Sequence, residues 1–106
     1  MTRMYHPLER MTTLEELKAY PFPRLSAKVS AAQKLAVKQA HSRGKFALGG
    51  AECSVWETAW AARGMEVLMM DMLADEEMAC FVLDKVTNNT GTSVVNFAKA
   101  GADGIM

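Results

Sequence analysis

Lys45-Phe46-Ala47-Leu48-Gly49-Gly50 decides how the rest of this 106-residue chain is read. A short apolar run that stops at a glycine pair is the pattern of a buried strand entering a tight loop. Upstream, Gly44 stands where a C′ glycine closes a helix. Ser26 is the expected cap of that helix, and Val29, Ala32, Leu35, Ala36 and Ala40 recur three and four residues apart as one buried stripe. His41 and Arg43 fall in its last turn, where positive charge complements the helix dipole.

Downstream, Ser54-Val55-Trp56-Glu57 has the form of a capping box and opens a helix that Gly64 can end. Glu66 to Leu73 reads as another short helical segment. Asp75 caps the longest helix, with Glu76 and Glu77 in its first turn. Met78, Phe81, Val82, Lys85, Val86 and Asn89 follow one face, then Val94, Phe97 and Ala98. Gly91 falls in the middle of this pattern, where a glycine costs a helix about 1 kcal/mol. Gly101 closes the segment, and residues 102–106 begin a second strand. Strand, helical crossover, strand is a βαβ arrangement, so the two strands are expected to be parallel. Two strands cannot make a parallel sheet covered on both faces, so the fold is expected to be part of a larger sheet.

At the other end, Thr13-Leu14-Glu15-Glu16 is a capping box for a short helix that must stop before Pro21 and Pro23. Residues 1–24 are then an extended segment with one short helix. Residues 25–106 run helix, strand, helices, strand, and the whole chain is one partial α/β domain.

Composition narrows the function classes. Half of the residues are hydrophobic and the formal net charge is zero, which leaves no clustered basic excess for nucleic acid. No apolar run approaches the ~20 residues of a membrane span. The N-terminus lacks the apolar core of a signal peptide, and Cys53 and Cys80 are not in metal-ligand spacing, so a reducing cytoplasm is expected. Without a secretory signal, the glycosylation pattern Asn88-Asn89-Thr90 carries little weight.

Ligands of α/β barrels and open parallel sheets bind beyond the carboxyl ends of the strands. That rule selects Gly49-Gly50-Ala51-Glu52-Cys53 and the region at or beyond Met106. Two glycines allow close backbone approach by a ligand, and Glu52 offers an acid, a base or a polar contact. The simpler reading is that the glycines make a tight turn. Cys53 has no histidine nearby to activate it and reads as a packed small residue. His6 and His41 read as a loop and a helix-end residue. Trp56 and Trp60, four apart, read as core packing for at least one of them. Met65, Met69, Met70 and Met72 suit a helix packed on its neighbours rather than a metal site. Asp71, Asp75, Glu76 and Glu77 read as caps and a solvated face.

Several segments, taken in order, resemble the uroporphyrinogen decarboxylase superfamily. They are His6-Pro7-Leu8, Thr13 to Leu17, Tyr20 to Pro23, Gly44 to Gly50, Trp56 to Trp60, Arg63 to Glu66, Leu68 to Leu73 and Ala100 to Ile105, and they span nearly the whole chain. The resemblance implies a section of a TIM barrel. The superfamily holds cofactor-free decarboxylases that act on a porphyrinogen, a tetrapyrrole. It also holds zinc-dependent methyltransferases that move methyl groups between corrinoid proteins and thiols. Gly49, Gly50, Ala51, Glu52 and Trp60 would then line the barrel mouth and contact substrate. Trp60 stands where the decarboxylases carry a substrate-contacting tyrosine. The arginine-rich N-terminal segment, the aspartate of the first barrel strand's loop and the methyltransferases' His-x-Cys and later Cys zinc ligands have no counterpart. The chain itself is therefore expected to carry no cofactor and to be inactive alone, with zinc entering only in a methyltransferase-type parent. A reading of a different class is a small helical module whose apolar faces bind a partner or a second copy.

Overall fold

The fold, taken from a computed structural model, is described for residues 4–50 and 55–106. Among the described residues, five helices and two short strands follow in the order α1 (Leu14–Ala19), α2 (Ala31–Ser42), β1 (Leu48–Gly49), α3 (Val55–Arg63), α4 (Met65–Ala74), α5 (Glu76–Lys99) and β2 (Gly104–Ile105). The chain is thus mostly helical with one strand pair, and that pair is parallel as expected. No described helix is long and apolar enough to cross a membrane. Residues group into two compact units, Met1–Pro23 with Cys53–Asn88, and Arg24–Glu52 with Asn89–Met106.

In the first unit, Thr13 starts α1: its hydroxyl accepts the Glu16 N–H at 3.2 Å and donates to the Glu16 carboxylate at 3.2 Å. The helix ends at Ala19, before Pro21. Gly64 takes φ +91°, which lets α3 turn directly into α4. Asp75 accepts the Met78 N–H at 3.4 Å at the start of α5. Leu8, Leu17, Ala59, Leu68, Met78, Ala79, Val82 and Val86 form the buried core. Tyr20 and Phe22 stack edge to face at 5.0 Å, Phe22 meets Phe81 at 5.9 Å, and the Lys85 ammonium lies 5.5 Å over the Phe81 ring.

Two expectations fail in this unit. Asp71 is not on a solvated face. It is buried and accepts from Arg63 Nε at 2.8 Å and Arg63 Nη2 at 3.3 Å. The same guanidinium donates through Nη1 to the carbonyls of Leu8 and Met11. Five donors in a fixed fork suit a buried residue that must satisfy a carboxylate and two carbonyls together. The α4 methionines, expected to pack on neighbours, instead lie in solvent, because the core takes only Leu68 and Asp71 from that helix.

In the second unit, Ser30 rather than Ser26 caps α2. Ser30 and Gln33 form a reciprocal box, each side chain serving the other's backbone N–H at 3.1 Å. Two satisfied donors outweigh the single bond that Ser26 makes to the Lys28 N–H. The buried stripe expected for this helix is also corrected, since α2 buries no residue completely. Ala32, Ala36 and Ala40 line an open apolar groove with Phe46, Leu48 and Phe97 instead. Gly44 (φ +66°) follows α2 and Gly101 (φ +95°) follows α5, both left-handed as a closing glycine requires.

Leu48 pairs with Gly104 and Gly49 with Ile105. β1 therefore lies later than the apolar run suggests, because the Asp103 carboxylate takes the Ala47 N–H before the ladder begins. Side chains alternate across the strand: Ala47 and Gly49 are buried, while Phe46 and Leu48 are 66% and 58% exposed. α5 runs unbroken through Gly91, as one long helix from Asp75 to Gly101 requires. A helix of 24 residues spreads the cost of one glycine over many turns.

Candidate functional site

The carboxyl end of the strand pair is where the sequence places a binding site. Gly49 is buried there, and its carbonyl accepts the Met106 N–H at 2.9 Å. Its φ is not left-handed, so a tight turn is not what requires glycine. The requirement is steric. A Cβ at position 49 would lie 2.5 Å from Phe97 Cγ and 2.9 Å from Ile105 Cδ1. Phe97 thus uses the absent side chain as its seat against the sheet. Gly50 differs: it is exposed, and a Cβ there would meet nothing within 4 Å. Of the two glycines, only Gly49 is held to glycine by the described residues around it. Ala51, Glu52, Cys53 and Ser54 lie outside the described residues.

Trp60 belongs to the other unit. It is half-buried, packs against the hydrophobic core, and has its ring centre 6.5 Å from that of His6. His6 donates its Nδ1–H to the Ala61 carbonyl at 2.7 Å, which ties the N-terminal segment to α3. Trp56 is the more exposed of the two tryptophans.

The amino end of the strand pair holds a polar cluster that sequence reasoning missed. His41 donates Nε2–H to Asp103 Oδ2 at 2.7 Å, and the same oxygen accepts the Ala47 N–H at 2.9 Å. The Asp103 N–H in turn donates to the Ala47 carbonyl at 2.8 Å. The Ala47 N–H, then His41, hold the Asp103 carboxyl below its ordinary range. These bonds join the last turn of α2 to the starts of both strands. In α/β folds this end of the sheet carries stability rather than chemistry. His41 is thus an anchor for the strand pair. The only sequence signal was a His in a helix's last turn and an Asp before an apolar strand, 62 residues apart.

Asn96 was also missed. It is buried, and its amide donates to the Ser26 carbonyl at 2.8 Å, tying the segment before α2 to α5. Among the described residues no three His, Cys, Asp or Glu side chains converge on a metal-sized site. No family model matches the chain, and no curated protein or solved structure matches it.

Proposed function

We propose that the chain is a section of a uroporphyrinogen decarboxylase-like TIM barrel, a carboxy-lyase fold acting on a tetrapyrrole, and that it is inactive without the remaining barrel. The observation that carries this reading is the parallel β1–β2 pair covered on one face only. Phe97 and Ile105 meet at Gly49 on one side, and Phe46 and Leu48 stand in solvent on the other. Parallel strands occur almost only in sheets covered on both faces, so further chain is the natural cover. The ordered run of family-like segments supports the same parent, with Gly50 at the strand end and Glu52 beyond it as its contribution to the mouth. The free, exposed Cys80 suits a reducing cytoplasm.

A second reading, a corrinoid methyltransferase of the same superfamily, is favoured by Trp60, which lacks the phenolic hydroxyl of the decarboxylases and packs half-buried against the core. The described residues do not fit a zinc site, so this reading assigns no zinc to them.

Fragment complementation tests both. A decarboxylase and a methyltransferase of the superfamily, each deleted for the matching helix–strand–helices–strand section, are co-expressed with this chain and assayed. Recovery of decarboxylation supports the first reading, recovery of methyl transfer supports the second, and recovery of neither sinks both.

A further inference from the structure

α4 exposes all four of its methionines. Met65, Met69, Met70 and Met72 are between 44% and 58% exposed. At 3.6 residues per turn, Met65, Met69 and Met72 share an arc of about 60°, with Met69 at one flank of the stripe and Met70 well round the helix. Met65 is one turn below Met69 and Met72 one short turn above it, rises of roughly 6 and 4.5 Å. A thioether on three rotatable bonds can bridge either step.

The charge around this stripe is one-sided. From Met65 to Glu77 the sequence carries Glu66, Asp71, Asp75, Glu76 and Glu77 and no Lys, Arg or His. Asp71 is committed to Arg63, and the other four carboxylates are exposed. His6 and Arg10 reach α4 at Val67, on the other side of the helix from the methionine stripe, so the acidic field favours a cation on the stripe over a neutral apolar partner. Thioethers select soft monovalent metals, Cu(I) above all, over hard or borderline ions.

We infer that α4 carries a two-sulfur site for a soft monovalent cation, in which Met69 is the shared ligand and either Met65 or Met72 supplies the second sulfur. The site is independent of the barrel reading, since all of its ligands lie on one helix. It takes Cu(I) in a reducing compartment and Ag(I) as a redox-inert substitute. Met70, on another side of the helix, is not a ligand.

The test uses the full chain carrying Cys53→Ser and Cys80→Ser, so that thiols do not compete for the ion. Silver nitrate is titrated in chloride-free buffer while the methyl signals of 13C-methyl-labelled methionine are followed. Cu(I) affinity is measured in parallel by competition with a chromogenic chelator. Leucine replaces methionine in each variant because it preserves helix propensity and apolar area. Shifts confined to the Met65, Met69 and Met72 methyls are expected, at one ion per chain. M69L weakens binding by at least about tenfold, as loss of the shared soft ligand requires. M65L and M72L each weaken it only about twofold, the statistical cost of losing one of two equivalent partners, and the double variant matches M69L. M70L leaves binding unchanged. Helical circular dichroism of each variant confirms that the fold persists. The inference is overturned if M69L binds like the parent, or if the shifts spread over methionines elsewhere in the chain. Retention of binding in all the leucine variants would show that the stripe is merely apolar.

Discussion

Phe97 packs directly on the Cα of Gly49, at a separation that no side chain at position 49 could share. Gly49→Ala is therefore expected to open the β1–β2 pair, at the roughly 1–3 kcal/mol typical of overpacking. The readout is amide hydrogen exchange at Met106, whose N–H is held by the Gly49 carbonyl. Phe97→Ala in the same chain should restore part of the lost protection, because contacting residues are non-additive. Equal protection in Gly49→Ala and the parent would contradict the packing.

Arg63 and Asp71 make a buried ion pair whose guanidinium also holds the carbonyls of Leu8 and Met11. Removing one member strands the other, at about 3–5 kcal/mol. Asp71→Ala should lower the thermal midpoint sharply and release the N-terminal segment to limited proteolysis near residue 10. Arg63→Met with Asp71→Leu should lose less than Asp71→Ala alone, since no buried charge then remains unpaired. A double variant worse than the single one would refute the account.

Asp103 gives the strand pair a predictable acid sensitivity. Its carboxyl pKa is depressed in the folded chain, so its stabilising effect is fully present above the ordinary aspartate value of about 3.9. That effect is lost as pH falls from there through the depressed folded value. Hydrogen exchange of the Ala47 amide, corrected for intrinsic rate, should lose protection across that window. In Asp103→Asn this pH-dependent component should vanish. An unchanged acid profile in that variant would place the sensitivity elsewhere.

Gly91 sits in a continuous helix where an added Cβ would meet nothing within 4 Å. Gly91→Ala should stabilise the chain by roughly 0.5–1 kcal/mol through helix propensity and reduced freedom of the unfolded state. A thermal or denaturant melt checks this, and destabilisation would mean that position 91 is closely packed against another surface.

Phe46 and Leu48 expose the open face of the sheet. Phe46→Thr with Leu48→Thr should reduce binding of a hydrophobic dye and self-association while leaving the β1–β2 ladder intact, because threonine suits a strand. Undiminished dye binding would show that other apolar surface dominates.

Local signals were legible wherever a few neighbouring residues settle the outcome. Thr13, Asp75, Pro21, Gly44, Gly64 and Gly101 start or stop helices through bonds and backbone angles that span four residues or fewer, and each acts as its type dictates. The parallel pairing also followed, because a long helical crossover leaves little alternative. Ser26 failed as a cap because Ser30, four residues on, had a glutamine partner and Ser26 did not.

What neighbouring residues cannot report is which surfaces meet. Gly49 looked like a turn glycine until Phe97, 48 positions away in the sequence, was found on it. Asp71 looked solvated until Arg63 folded onto it, and the methionines of α4 looked like core until the core filled without them. The sequence by itself determined most helix ends, the start of α2 excepted, and that the strands run in parallel, since those follow from hydrogen bonds and sterics between near neighbours. Only the tertiary structure decided which glycine is indispensable, which charges are buried and which apolar face is left to solvent, because burial depends on residues that are distant in the chain and adjacent in space.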